Sequence, residues 1–178
     1  MMPPMTFVER MIGAAKLDVQ AYEEVEADRG AMGQALAIVV LAAVAAGIGS
    51  GYQIGLGGLL GGALASIISW LVWAWLVWLI GTKVLPEAQT SADTAELMRT
   101  IGFSASPGLL RVLGVIPVLG GLIFMVITIW MLVTMVVAVR QALDLRSTGR
   151  AVVICLIGWV LHVIVFMGLL RLLRVGWA

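Results

Sequence analysis

The sequence predicts an all-α polytopic integral membrane protein, with five transmembrane helices and an N-terminal amphipathic helix. Three observations predict it. The 178 residues are 62% hydrophobic and only 12% charged, with a mean hydropathy of +1.09, whereas a soluble domain is about half apolar and about a quarter charged. Long uncharged runs recur along the chain. All ten carboxylates lie outside those runs, at 9–28, 87–96 and 144.

The same numbers exclude function classes. A net charge of +1 gives nucleic-acid binding no electrostatic support. One cysteine, Cys155, allows neither an internal disulfide nor a thiolate cluster, and one histidine, His162, makes a histidine metal site unlikely by count. No cofactor is expected. The first 30 residues, with six acidic groups, do not read as a signal peptide, which needs a basic region followed at once by an apolar core. Nine Arg against two Lys hint at a GC-rich prokaryotic genome.

Residues 1–30 read as a cytoplasmic headpiece and 31–178 as the membrane domain. Thr6 and Glu9 fit a capping box, and Val8, Met11, Ile12, Ala15, Val19 and Tyr22 then fall on one helical stripe. The helix is expected to lie on the membrane, to dock on a partner, or to fold back onto the chain's own spans. Glu23, Glu24, Glu26 and Asp28 form a dense acidic run before the first span. It is either a solvated connector or a docking patch for a basic partner segment.

The expected spans are about 31–50, 56–81, 97–116, 118–139 and 151–170. The first has about 20 uncharged residues, enough for about 30 Å of hydrocarbon. Ala43, Gly47 and Gly51 repeat on it, and the short connection 51–55 predicts a tight hairpin. The second span carries two small-residue ridges: Gly57, Gly61, Ala65 and Ser69, and beside it Gly58, Gly62 and Ser66. Such spacing lets helix backbones approach closely in lipid. Its second half holds Trp70, Trp73, Trp75 and Trp78. Trp75 and Trp78 fit an interfacial belt, while Trp70 and Trp73 need packing partners.

Pro86 ends that helix. Thr90 and Asp93 suggest a cap, with a helix starting near Ser91. The third span is unlike the others. It contains Pro107, Gly108, a lone Arg111 and Gly114, and leads through Pro117 into Gly120 and Gly121. From Arg99 to Arg111 a helix rises about 16–18 Å, too little for a bilayer. The segment is therefore either a kinked span with Arg111 snorkelling toward the far interface or a re-entrant segment. Ser104 and Ser106 are placed to satisfy carbonyls freed at Pro107. The fourth span ends at Arg140, Ser147 or Thr148 caps the fifth, and Trp177 fits an interfacial anchor.

With five spans, Arg10, Lys16, Arg29, Lys83, Arg99, Arg140, Arg146 and Arg150 share one side, and Arg111, Arg171 and Arg174 the other. That excess places the N-terminus in the cytoplasm and the C-terminus outside. A re-entrant third segment spreads the positive charge more evenly, so five spans are preferred. Ion-coupled transport and intramembrane proteolysis use ionisable groups inside the bilayer, and only His162 sits mid-span. It shares a face with Cys155 and Trp159, Phe166 lying a turn further. It reads as a ligand or proton relay, or as a neutral imidazole bonded to a neighbouring helix. Pro107, Arg111 and His162 are the candidate functional intramembrane residues, and no catalytic constellation is visible.

The stretches YEEVEAD at 22–28, TSADTAELMR at 90–99, GFSASPGLLRVLGVIPVLG at 102–120 and VRQALDLRSTGRA at 139–151 resemble the Yip1 family, in particular its short bacterial members. The resemblance implies five spans with a cytoplasmic N-terminus, a role in vesicle traffic in eukaryotes, and contacts with small GTPases and partner membrane proteins. The eukaryotic signature around DLWGP and GYG is not visible here, which puts small-GTPase binding in doubt. The expected function is a non-enzymatic scaffold, assembly or trafficking-type factor in the inner membrane of a prokaryote. It would work through the lipid bilayer, other membrane proteins or self-association. The alternatives are an accessory subunit of a larger membrane complex, or a small-molecule or ion pathway centred on the third span.

Overall fold

A computed structural model describes residues 4–50, 55–90 and 92–175, and among these every regular element is helical. The elements are α1 (Phe7–Ala15), α2 (Val19–Ala27), α3 (Met32–Gly49), α4 (Leu56–Leu79), α5 (Thr94–Ser104), α6 (Gly120–Ala142) and α7 (Thr148–Val175). Between them lie 3-10 turns at Arg29–Ala31 and Ser106–Val115 and a π-helical turn at Ile80–Val84. The expected 51–55 hairpin connection, the helix start near Ser91 and the Trp177 anchor fall outside the described residues, wholly or at their key positions.

Among the described residues four segments are long and apolar enough to cross a membrane: Arg29–Gly49, Leu56–Val84, Gly120–Ala142 and Thr148–Val165. They correspond to the first, second, fourth and fifth runs read from the sequence. The third run is built differently. α5 stops at Ser104, and the chain continues as ten residues of 3-10 helix through Pro107 and Arg111 to Val115. Neither piece alone matches a bilayer.

Side-chain hydroxyls bond three backbone carbonyls at the break before Pro107. Proline brings no N–H to the Phe103 carbonyl, and the Ser106 hydroxyl donates to that oxygen at 2.6 Å. Ser104 donates to the Ile101 carbonyl at 2.7 Å, and Thr134 of α6 donates to the Ser104 carbonyl at 2.7 Å. Side chains thus replace the helical bonds that a buried backbone must otherwise forfeit.

Glycines hold the broken segment against α3. A methyl on Gly102 would sit 2.7 Å from the Ala35 Cβ, and one on Gly108 would sit 3.0 Å from the Ala42 Cβ. A methyl on Gly49 would overlap the Arg111 carbonyl, 2.7 Å from its carbon. The contacts advance in the same order along both chains, so Gly102–Gly114 runs parallel to Ala35–Gly49. The segment does not turn back on itself at Arg111.

The N-terminal stripe is not one helix. Leu17 adopts a left-handed backbone (φ 66°), and Asp18 caps a second helix by accepting from the Gln20 N–H. The turn reverses the chain, so Tyr22 is buried while Val8, Ile12 and Val19 face outward. The Thr6–Glu9 capping box is formed. At α5 the box pairs Asp93 with Glu96. Thr90 instead donates its hydroxyl to the Leu143 carbonyl at 3.0 Å.

The α1–α2 hairpin packs on the chain's own helices. Phe7 meets Phe103 edge to face, with centroids 6.3 Å apart. Trp130 of α6 donates to the Ala15 carbonyl at 2.8 Å. Arg99, 4% exposed, donates through Nε to the Val25 carbonyl at 3.1 Å and also to the Glu26 carbonyl. Arg10, 6% exposed, pairs with Glu24 and Asp28, each at 2.7 Å. That guanidinium holds the Asp28 carboxyl below its usual range. Glu26 moves the other way: burial, reinforced by Asp144 and Glu96 and only partly opposed by Arg99, pushes its carboxyl up to about 7.

Candidate functional site

Two polar side chains from distant parts of the chain reach one space inside the helix bundle. It is an open, largely apolar cavity of about 730 Å³ between α3, α4, α6, α7 and the broken segment, within the size range of ligand pockets. Ala43 and Gly47 of α3, Gly58 and Gly62 of α4, and Met131 of α6 form much of its apolar wall.

Arg111 enters from the 3-10 helix. Its Nη2 donates to the Thr128 Oγ1 at 3.0 Å, and its guanidinium carbon lies 5.8 Å from the centre of the Phe124 ring. The side chain therefore spans one turn of α6 and does not extend past the helix end. Thr128 is eight residues into α6, about 12 Å along its axis. The snorkelling expected from the sequence is not the conformation seen. The physical reason is the close backbone approach of residues 111–114 to Gly49 and Phe124, which turns the side chain inward along α6. The Nε is buried without a hydrogen-bond partner. Among the described residues, no carboxylate pairs with Arg111.

His162 enters from α7. Its Nε2 and the Ser69 Oγ of α4 lie 3.2 Å apart, and its ring meets Trp73 edge to face at 5.8 Å. The Nδ1 is buried and unpartnered. The imidazole thus ties α7 to α4. Among the described residues no group of three His, Cys, Asp or Glu side chains is placed to hold a metal ion.

The remaining candidates are dispersed. Pro107 is buried in the break and is not part of the cavity wall. Glu24 and Asp28 are bound to Arg10, Glu26 is half-buried, and Glu23 is exposed. On α4, Gly58, Gly62, Ala65 and Ser69 face the cavity. Gly57 and Gly61 are exposed, with nothing within 4 Å of where a Cβ would stand. Among the described residues no helix packs into that ridge. The indoles find partners: Trp70 donates to the Met98 carbonyl at 3.1 Å, Trp73 to the Met135 sulfur at 3.2 Å and Trp78 to the Ala92 carbonyl at 3.1 Å.

Sequence reasoning missed Arg10 as the anchor of the headpiece and Thr128 as the partner of Arg111. A hydroxyl in the middle of an otherwise apolar run was the available signal for Thr128. Nothing local marks Arg10, because its partners lie 14 and 18 residues away.

Long apolar helices around an internal polar pair define an integral membrane protein of the polytopic helical class. The Yip1 domain profile matches residues 19–170, and the chain belongs to that family. Helix α1 lies before the matched region. No curated protein and no solved structure matches the chain.

Proposed function

We propose that the chain is a non-enzymatic membrane scaffold or assembly factor that recruits another membrane helix to α4. The observation that carries this is the outward ridge of α4. Gly57 and Gly61 are open, and Leu56, Leu60, Leu64 and Ile68 around them are 58–74% exposed. In lipid, apolar side chains gain little by leaving the bilayer, so a ridge of small residues is of use chiefly to a close-packed helix. The membrane domain in this reading has five crossings. The segment Thr94–Val115 supplies the third, since 11 α-helical and ten 3-10 residues rise together about 36 Å. The N-terminus is cytoplasmic, the C-terminus lies on the other side, and the membrane is the inner membrane of a prokaryote.

Cysteine cross-linking tests the scaffold role. In a Cys155→Ala background, Gly61→Cys in native membranes forms a discrete disulfide-linked species, identified by mass spectrometry as a second copy or a partner chain. An equal yield from Leu59→Cys, which faces the cavity, removes the assignment to this ridge. C-terminal fusions test the crossings: alkaline phosphatase is active and a green fluorescent protein dark if there are five. The second reading, a small-molecule pathway, draws its support from the cavity that Arg111 and His162 share.

A further inference from the structure

We propose that the cavity beside Arg111 is a binding site for one membrane lipid with an anionic headgroup, drawn from the leaflet at the C-terminal end of α3. Three observations lead there. The cavity is open, and Leu132 of α6 and Trp159 of α7, which line it, are themselves 60% and 59% exposed. Both lie about 16–18 Å from the starts of their helices, so the opening faces hydrocarbon and not water. What enters by that route is an acyl chain.

The second observation is charge. Arg111 is held at membrane depth with one hydrogen bond, to Thr128, a buried Nε without a partner and no carboxylate among the described residues. An arginine inside the bilayer is costly unless paired. A phosphate oxygen matches the donor fork of a guanidinium and supplies the missing charge. The third is direction. The backbone of Arg111 is level with Gly49, the end of α3, while Ser69 and His162 lie deeper, about 20 Å from the start of α4. The guanidinium, beside Thr128 and about 12 Å from the start of α6, lies nearer the interface at the end of α3 than His162 does, and the apolar wall of Ala65, Met131 and Trp73 runs inward from it. That is the polarity of a lipid in its own leaflet.

The assignment does not depend on the scaffold reading, because Gly57 and Gly61 face outward while Gly58 and Gly62 line the cavity. Its test is lipid retention by the full chain. The protein is placed in nanodiscs containing equal amounts of phosphatidylglycerol and phosphatidylcholine, then released and weighed by native mass spectrometry. The wild type is expected to keep one phosphatidylglycerol in preference to phosphatidylcholine by roughly tenfold or more, the effect of one charge-assisted contact. Arg111→Gln abolishes the preference. Gly62→Phe, built where nothing lies within 4 Å of the new Cβ, fills the cavity at the level of the guanidinium and lowers retention of both lipids. Equal retention of the two lipids by the wild type overturns the proposal. So does unchanged retention in a folded Gly62→Phe protein, which keeps the test decisive if Arg111→Gln does not fold. Displacement of the bound lipid by millimolar inorganic phosphate also overturns it, in favour of a free-anion site.

Discussion

Replacing Gly49 by alanine is expected to destabilise the protein, while the same replacement at Gly33 on the same helix stabilises it. At Gly33 no atom lies within 4 Å of the added methyl, so only backbone propensity changes, in favour of alanine by about 0.5–1 kcal/mol. At Gly49 the methyl meets the Arg111 carbonyl and, at 3.3 Å, the Phe124 ring. The carbonyl belongs to the backbone and cannot rotate away, so α3 and the 3-10 helix must separate. Overpacking of this kind costs about 1–3 kcal/mol, and the upper part of that range applies where the obstacle is backbone. Subtracting the propensity gain leaves a net loss of about 2 kcal/mol. The two variants should therefore differ by about 3 kcal/mol, more than two decades in the unfolding equilibrium. Reversible unfolding in mixed dodecylmaltoside and dodecylsulfate micelles, followed by tryptophan fluorescence, measures both. If Gly49→Ala is as stable as Gly33→Ala, residues 111–114 do not lie against the end of α3. The parallel course of the broken segment is then wrong.

Other expectations follow from the headpiece and the turns. Arg10→Ala removes the cation shared by Glu24 and Asp28 and should loosen the α1–α2 hairpin by about 2 kcal/mol, below the range for a fully buried pair because both carboxylates are partly hydrated. The readout is faster tryptic cleavage after Lys16, and an unchanged cleavage rate refutes it. Glu26, raised in the folded protein to about 7 from an ordinary 4.5, binds its proton more tightly when folded. Stability is therefore highest below the unfolded pKa and falls as pH rises from about 4.5 to about 7. Glu26→Gln should flatten that slope in thermal melts taken across the window. Val118 is fully exposed and left-handed at φ 70°, a conformation a β-branched residue resists. Val118→Gly should raise the melting temperature by relieving about 1 kcal/mol, and a lower melting temperature refutes the strained turn.

The transmembrane helices were legible because each is an uninterrupted apolar run with a charged boundary, and a bilayer leaves such a run no other structure. The headpiece was less legible. Periodicity placed Val8 and Tyr22 on one stripe, but the turn at Leu17 and the cap at Asp18 reverse the chain between them. Leucine carries no turn signal, and an aspartate inside an acidic segment does not announce itself as a cap. Of the site, Arg111 and His162 stood out individually as polar residues in apolar runs. That they share a cavity depends on how far α7 stands from α6, and no single helix encodes that spacing.

The third segment shows where local reading ends. Pro107, Gly108 and Gly114 each signal interruption, and the choice between a kink and a re-entrant loop turned on charge counting. Matched against α3, they serve one purpose. Ala35, Ala42 and Gly49 recur every seven residues of α-helix, about 10.5 Å apart. Gly102, Gly108 and Gly114 recur every six residues, about 10–12 Å apart once the chain becomes 3-10 at Ser106. A continuous α-helix would advance only about 9 Å in six residues and lose the register. The break that removes one helical hydrogen bond at Pro107 thus lengthens the segment enough to keep each glycine opposite a small residue of α3. It also brings the Arg111 backbone against Gly49, from where its side chain reaches Thr128 and the cavity. The irregularity and the placement of the charge have the same cause.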